Sequence, residues 1–327
     1  MKIAVLHTAD ALEEPVDPIL AQLQETLTGL GHEASTVVVD ADAMHVAAAI
    51  KEQNPDLVFN LAESFGGKSA LESNVAALLN LLGMRYTGSS PQGLLLAGDK
   101  ILTKKVLGFH GINTPEFATV FRGDLDWAGK ITFPCIVKPP QEDASLGITA
   151  ASVVHDIGAL LTQIDSIQQE FQQPALVEQF IEGREFYVGV LGNSSPVALP
   201  AIEMQFKGFP DGKPQIASWE AKWGDDGTNT GAEFRGTESV FPNDVGEEQA
   251  EKMAKVALDA FAALRLRDYG RIDLRVTPSG EIFVLEVNPN CYLERESEFA
   301  RAAAKHGLPY DKLIARILEL AIARYAR

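Results

Sequence analysis

The chain has 327 residues, 46% hydrophobic and 22% charged, the balance of a soluble globular protein long enough for two or three lobes with sizeable cores. With 28 Lys and Arg against 45 Asp and Glu, the net charge of −17 repels nucleic acid and anionic membrane, so neither is an expected partner, and a site for an anionic nucleotide must build its own positive charge. Only two cysteines, Cys135 and Cys291, are present, which excludes a disulfide scaffold and fits a reducing compartment.

The opening run Met1–His7 is too short for a secretory signal. The longest greasy stretch, Val75 to Met84, falls far below the roughly 20 residues that span a bilayer, so the expected location is cytoplasmic. Lys2–Leu6 reads as a strand. Asp17-Pro18 then supplies an N-cap and a proline at the first helical position, and Leu20, Leu23, Leu27 and Leu30 repeat at helical spacing up to Gly31. Strands are expected at Thr36–Val39 and Asp56–Leu61, and helices at Ala41–Glu52 and Leu71–Leu82. This β-α-β-α-β order implies a parallel sheet covered by helices. After a break at Thr87–Pro91, Asp99 caps a short helix through Leu107. Further strands are expected at Cys135–Lys138, Ala175–Glu178 and Glu185–Leu191, a long loop at Phe206–Gly236, and helices at Asp244–Leu264 and Asp311–Arg327.

Gly66-Gly67-Lys68-Ser69 mimics the end of a P-loop, but Ala62 stands where that motif needs glycine. No Gly-x-Gly-x-x-Gly follows a strand, and the six histidines show no metal-ligand spacing. The informative segment is Tyr269–Asn290. Arg271–Val276 and Glu281–Asn288 form a hairpin joined by Thr277-Pro278-Ser279-Gly280. If Thr277 faces Gly280, Ile272 faces Leu285, Leu274 faces Phe283, and Arg271 faces Glu286, with Asp273 diagonal to Glu286. One face is then apolar, and the other carries Arg271, Asp273, Arg275, Glu286 and Asn288. Two carboxylates about 4 Å apart repel by roughly 4 kcal/mol at an effective dielectric of 20. Either a divalent cation such as Mg²⁺ bridges them, or the face is solvated and laced with Arg–carboxylate pairs; the pattern leaves both open. Asn288-Pro289-Asn290, a turn just past the acidic strand end, favours a site.

Gly270-Arg271-Ile272-Asp273 followed by Leu285-Glu286-Val287-Asn288-Pro289 resembles the metal-binding end of the ATP-grasp fold, with D-alanine–D-alanine ligases and similar carboxylate–amine ligases as the nearest relatives. The likeness extends in order through Tyr86-Thr87-Gly88-Ser89, Asp99-Lys100, Val137-Lys138-Pro139, Ser145-Leu146-Gly147, Val177-Glu178-Gln179-Phe180, Gly183-Arg184-Glu185-Phe186 and Glu220-Ala221-Lys222-Trp223. It implies an α/β ATP-grasp chain with an N-terminal Rossmann-like parallel-sheet domain over residues 1–95, a central lid over 96–182 and a C-terminal antiparallel-sheet catalytic domain over 183–327. It implies ATP and one or two Mg²⁺, with Mn²⁺ as a substitute. Lys100, Lys138 and Lys222 would meet phosphates, although singly each reads as a surface lysine. Glu178 would sit by the adenine amino group, with backbone groups of Gln179, Phe180 and Ile181 completing the edge. Glu185 would accept from ribose hydroxyls, and Ser145 and its loop would cover the transferring phosphate. Arg271 would steady that phosphate, and Asp273, Glu286 and Asn288 would hold the metal. The implied chemistry passes through an acyl phosphate to an amide, on small amino-acid or carboxylate substrates, and the family also implies a possible homodimer.

The acceptor end departs from the family. His7-Thr8-Ala9-Asp10 replaces a Gly-Gly-x-Ser-x-Glu segment, with Glu13 or Glu14 as substitutes for its acid. Ala144 removes the first serine of the phosphate loop, and Trp223 replaces a tyrosine, which weakens the Ser–Tyr–Glu cluster expected beside substrate. Tyr292 replaces a glycine, Arg295 adds a charge, Ser297 takes the place of a carboxylate-binding serine, and Glu63 stands near where the ligases carry Leu-His-Gly. Cys291 reads as a packing or pocket-lining thiol. The expectation is a ligase for a different substrate pair, giving a dipeptide or an amino-acid conjugate. Its alternatives are an authentic D-alanine–D-alanine ligase, a silent ATP-binding regulator and a kinase-like relative that stops at phosphorylation.

Overall fold

The computed structural model describes residues 1–8, 17–122, 124–128, 132–224 and 230–326. Ala9, Asp10, Glu13 and Glu14 lie outside the described residues. The chain opens with β1 (Lys2–Thr8), α1 (Pro18–Gly29), β2 (Glu33–Val39), α2 (Ala43–Gln53), β3 (Leu57–Asn60), α3 (Glu72–Leu81), α4 (Pro91–Ala97) and α5 (Lys100–Phe109). The first three strands form a parallel sheet in the order β2-β1-β3, as the alternating elements implied. The caps fall where sequence placed them. Asp17 accepts from the Ile19 amide, and Asp99 from those of Ile101 and Leu102. Helix α4 was not expected; its signal is Ser90-Pro91, with the serine hydroxyl accepting from the Gly93 amide.

The second sheet is antiparallel, in the order β5-β4-β8-β6-β7. It comprises β4 (Phe117–Phe121), β5 (Asp124–Ala128), β6 (Cys135–Lys138), β7 (Val153–Val154) and β8 (Ala175–Gln179), with α6 (Ile157–Phe171) before β8. The third sheet runs β12-β11-β9-β13-β14, with β10 paired to β9. Its strands are β9 (Arg184–Leu191), β10 (Val197–Ala198), β11 (Ile202–Gln205), β12 (Glu238–Val240), β13 (Tyr269–Val276) and β14 (Ile282–Asn288). The segment expected to be one long loop holds two short helices, α7 (Trp219–Trp223) and α8 (Ala232–Arg235), while residues 225–229 fall outside the description. Helix α9 (Glu247–Ala263) covers the third sheet, and α10 (Glu298–Lys305) and α11 (Tyr310–Tyr325) end the chain. No helix among the described residues is long and apolar enough to cross a membrane.

The β13–β14 register corrects the sequence expectation. The Gly280 amide donates to the Thr277 carbonyl, closing the expected turn, but the Thr277 amide donates to the Glu281 carbonyl, so with Gly280 at φ +86° strand pairing starts one residue later than expected. Val276 therefore faces Ile282, Arg275 faces Phe283, and Leu274 faces Val284. A bulge at Leu285 then sets Asp273 opposite Glu286 and Arg271 opposite Asn288. The polar face survives, but the buried apolar set is Ile272, Leu274, Val276, Ile282, Val284 and Val287 rather than one containing Phe283 and Leu285. Burial against α9 rewards this change, because the bulge lets Val284 and Val287 both turn inward.

Helix α11 returns to the first sheet. Leu313, Ile314, Ile317 and Leu318 are buried in one core with Leu23 and Leu27 of α1, Ile3 and Val5 of β1, and Tyr269 of β13. The polar knot of this junction is Asp268, which is fully buried. Arg324 grips both its oxygens at 2.6 and 2.9 Å, and the Gly88 amide and Asn193 Nδ2 donate to it at 2.8 and 2.9 Å. Removing one partner of a buried ion pair costs about 3–5 kcal/mol. Asp268→Ala is therefore expected to lower unfolding stability by that amount in denaturant titration, and a loss below about 1 kcal/mol would contradict the assignment.

Candidate active site

Four segments meet where β13 and β14 carry their acids. Asp273 and Glu286 are directly opposed across the two strands. Arg271, two residues from Asp273 on the same strand face, forks onto both its oxygens at 2.7 and 2.9 Å. The Arg271 guanidinium also lies over the Tyr187 ring and 3.9 Å from Glu298. Lys100, at the start of α5, reaches Glu286 at 2.6 Å, the Glu142 carbonyl at 2.6 Å and Asp143 at 3.8 Å. It thereby ties β14 to the loop after β6. Lys222 on α7 adds positive charge felt at Asp143, Asp273, Glu286 and Glu298.

The opposed carboxylates are driven apart electrostatically. Burial alone would raise Glu286, but Lys100, Lys222 and Lys138 hold it down at about 2. Burial pushes Asp273 up against the pull of Arg271, and the Glu286 charge adds to that push. The Asn288 amide nitrogen is buried beside them with no hydrogen-bond partner among the described residues. Two facing carboxylates under mutual repulsion fit a hard divalent ion, to which Asn288, two residues from Glu286 on the same strand face, would add its side-chain oxygen rather than the unpartnered nitrogen. Among the described residues no three His, Cys, Asp or Glu side chains are arranged to hold a metal.

The adenine-side residues are placed differently from the expectation. Glu178 is wholly buried, and its two oxygens are held at 2.6 Å by Lys104 and Lys138. The Gln179 and Phe180 amides donate to the Glu116 and Pro134 carbonyls, and Ile181 is buried next to them. Glu185 is buried, not exposed, and is paired with Arg275 at 3.0 Å and with the Tyr187 hydroxyl at 3.1 Å.

Two loops close over the cluster and are bonded to each other. The Ser145 hydroxyl donates to the Ala217 carbonyl at 2.6 Å, Trp223 Nε1 to the Ala144 carbonyl at 2.9 Å, and the Trp219 amide to the Ile148 carbonyl at 2.8 Å. Ala144 and Ser145 both adopt positive φ, at +54° and +65°. Such conformations cost of order 1–3 kcal/mol each and gather at functional sites. Gly147 is required at φ +75°, because a Cβ there would meet the Phe171 ring at 2.8 Å.

The expected substrate residues divide. Glu63 is exposed and stands within reach of the charges of Asp143 and Asp17. Tyr292 donates to Asp17 at 2.6 Å and feels the Glu63 charge, so it stands near Glu63. Arg295 points elsewhere, 3.7 Å from Glu25 of α1 and over the Tyr310 ring. Ser297 caps α10 and donates to the Tyr292 carbonyl at 3.0 Å, which accounts for its hydroxyl. Burial pushes the Cys291 thiol up to about 12, in keeping with a packing role. Sequence reasoning missed three side chains. Lys104 was legible as the i+4 neighbour of Lys100 on a helix. Asp143, which pairs with Lys100, and buried Glu72, bonded to Asn290, carried no local signal.

Comparison with known proteins agrees with this architecture. The family model for the D-ala D-ala ligase C-terminus matches residues 106–319. A protein of Sinorhizobium fredii known as uncharacterized protein y4sG is 33% identical over 316 residues, covering 94% of this chain and 88% of its own. A D-alanine–D-alanine ligase of Desulforudis audaxviator is 32% identical over 302 residues, covering 91% and 90%. The crystal structure of D-alanine–D-alanine ligase from Bacillus anthracis complexed with ATP superposes with a TM-score of 0.74 at 21% identity, covering 99% of this chain and 98% of that one. The three sheets thus compose an ATP-grasp fold. The chain belongs to the D-alanine–D-alanine ligase family and is an ADP-forming ligase of that type.

Glu286 makes a pH-dependent contribution to stability. Because its folded value lies below the ordinary 4.5, the contribution is present above that value and is lost as pH falls toward about 2. A depression of that size is worth about 3 kcal/mol. The stability gap between wild type and Glu286→Gln, measured by denaturant unfolding, should shrink between pH 5 and 2; a constant gap over that window would contradict it.

Proposed function

We propose that this chain couples ATP cleavage to amide-bond formation between a carboxylate donor and an amine acceptor, releasing ADP and phosphate. The observation that carries this is the convergence of Lys100, Lys138, Lys222 and Arg271 on one carboxylate-lined cleft in a protein of net charge −17. Lys100, Lys138 and Lys222 meet the nucleotide phosphates, and Arg271 steadies the group in transfer. Asp273, Glu286 and Asn288 would hold Mg²⁺, which when bound would supply positive charge to the phosphoryl group in transfer. The donor oxygen bonds to the γ-phosphorus as the bond to ADP breaks. The acceptor nitrogen then bonds to the acyl carbon as phosphate leaves and the amine gives up a proton. Glu63, within electrostatic reach of Asp17 and Tyr292 on that side of the cleft, is the group proposed to take that proton. The bonded loops carrying Ser145 and Trp223 keep water from the acyl phosphate.

The preferred product is a dipeptide or amino-acid conjugate other than D-alanyl-D-alanine. Support comes from the acceptor side, where Trp223 bonds to Ala144 and Tyr292 to Asp17 in place of the family's Ser–Tyr–Glu cluster and glycine turn. The relatives named D-alanine–D-alanine ligase, aligned over nearly the whole chain, favour the authentic ligase as a second reading. The lobes of this enzyme are assigned to residues 1–95, 96–182 and 183–327, and a homodimer and a cytoplasmic location accompany the assignment.

The test is phosphate release with Mg-ATP against D- and L-amino acids, singly and in pairs, with products weighed by mass spectrometry. An amide from one preferred pair is expected; D-alanyl-D-alanine alone would decide for the second reading, and a stable phosphorylated product without amide would contradict both. Glu286→Gln is expected to abolish Mg-dependent ADP formation with the fold intact, and near-normal turnover would sink the metal assignment. Lys138→Ala should weaken ATP binding by about tenfold or more, in line with loss of a charge-assisted phosphate contact.

A further inference from the structure

Glu178 has two lysines where one would neutralise it. The Lys104 and Lys138 ammoniums each lie 2.6 Å from its carboxylate, on opposite oxygens. Lys104 is 2%, Lys138 6% and Glu178 1% exposed, so two positive charges share one carboxylate almost out of water, with Glu286 the next carboxylate that both lysines feel. Such an excess is costly until an anion completes it. The two lysines are not equivalent. Lys138 ends β6, where the loop carrying Asp143 and Ser145 begins, and its charge is felt at Glu286 across the cleft. Lys104 lies one helical turn along α5 from Lys100, enclosed against Glu178, and burial draws its pKa down.

We propose that Lys104 is a positioning residue for phosphate binding, the permanent counter-ion of Glu178 that allows the Lys138 ammonium to leave that carboxylate for an incoming phosphate oxygen. This rests on the nucleotide role proposed above for Lys138. Without Lys104, the move would strand a buried carboxylate beside no cation, and Lys138 would stay where it is. With Lys104, Glu178 keeps one short ion pair and the second positive charge transfers to the phosphate. Lys104 itself does not need to touch substrate. The joint effect of Lys104 and Glu178 is to hold a lysine at the cleft wall, ionised and pre-aimed, in a protein whose overall field opposes anions.

The affinities of the full chain for Mg-ATP and for adenosine, measured by calorimetric titration, test this. Lys104→Met should weaken Mg-ATP by about tenfold or more while leaving adenosine nearly unchanged, since only the phosphate contact is lost. Lys104→Arg should restore most of the affinity. Lys104→Met combined with Glu178→Gln should also recover it, because the neutral amide no longer retains Lys138. Unchanged Mg-ATP affinity in Lys104→Met would overturn the proposal. So would an equal loss for both ligands that the double variant does not recover, which is the mark of a packing role. If Lys104→Met alone does not fold, the double variant decides, with near-wild-type Mg-ATP affinity expected and a loss like that of Lys138→Ala contradicting it. If Lys138→Ala leaves Mg-ATP affinity unchanged, the nucleotide assignment of Lys138 itself fails, a result distinct from a failure confined to the Lys104 variants.

Discussion

Everything at this site depends on gathering positive charge inside an acidic protein, with Lys100, Lys104, Lys138 and Arg271 each placed against a carboxylate. Lys100 does so by lying between Glu286 and the carbonyl of Glu142, with Asp143 close by. Lys104 and Lys138 do so by sharing Glu178, and Arg271 by forking onto Asp273. Each cation is held by a carboxylate that itself sits on a strand or at its end, so the rigid sheets fix where the charge stands. A buried ion pair adds little net stability by itself. Its value here is placement, because a preorganised cation in a desolvated cleft acts on a phosphate far more strongly than one in water.

The same constraint explains why the lobes must be joined firmly. Lys100 and Lys104 come from α5, Glu178 and Lys138 from the second sheet, and Asp273 and Glu286 from the third. Charge pairs between separate sheets hold their geometry only if the sheets cannot slide. Asp268, gripped by Arg324, Gly88 and Asn193, anchors the third sheet to the last helix and to the end of the first lobe. The apolar side of α11 adds a core that runs from β1 to β13. Above the cleft, the hydrogen bonds linking residues 144–148 to residues 217–223 make the two covering loops one unit.

The hairpin shows how much of the site was legible and where legibility stopped. Alternation along Arg271–Val276 separated the apolar residues from Arg271, Asp273 and Arg275, and that division holds in the structure. The facing strand could not be read so simply. Its bulge at Leu285 changes which of Phe283, Val284 and Leu285 is buried, and it brings Asp273 from a diagonal position to one directly opposite Glu286. A bulge answers to packing against α9, and no local residue pattern announces it here. Arg295 and Ser297 have partners that no local pattern announced. Their positions beyond the acidic strand suited an acceptor, but a helix cap and a contact with α1 claim them.

Sequence by itself determined the elements with strong local causes: the helices begun by Asp17 and Asp99, the parallel order of the first strands, and the polar face of the hairpin. It also supplied the residue types of the proposed phosphate and metal site, since lysines, paired acids and an asparagine oxygen have that chemistry wherever they are brought together. Tertiary structure alone decided their partners. That Glu178 is shared by two lysines, that Glu185 is buried against Arg275, and that Trp223 closes onto Ala144 depends on residues far apart in the chain meeting across sheets. The physical reason is range. Caps, turns and alternation act over a few residues, whereas desolvation and ion pairing are set by whatever the packed lobes bring within a few ångströms.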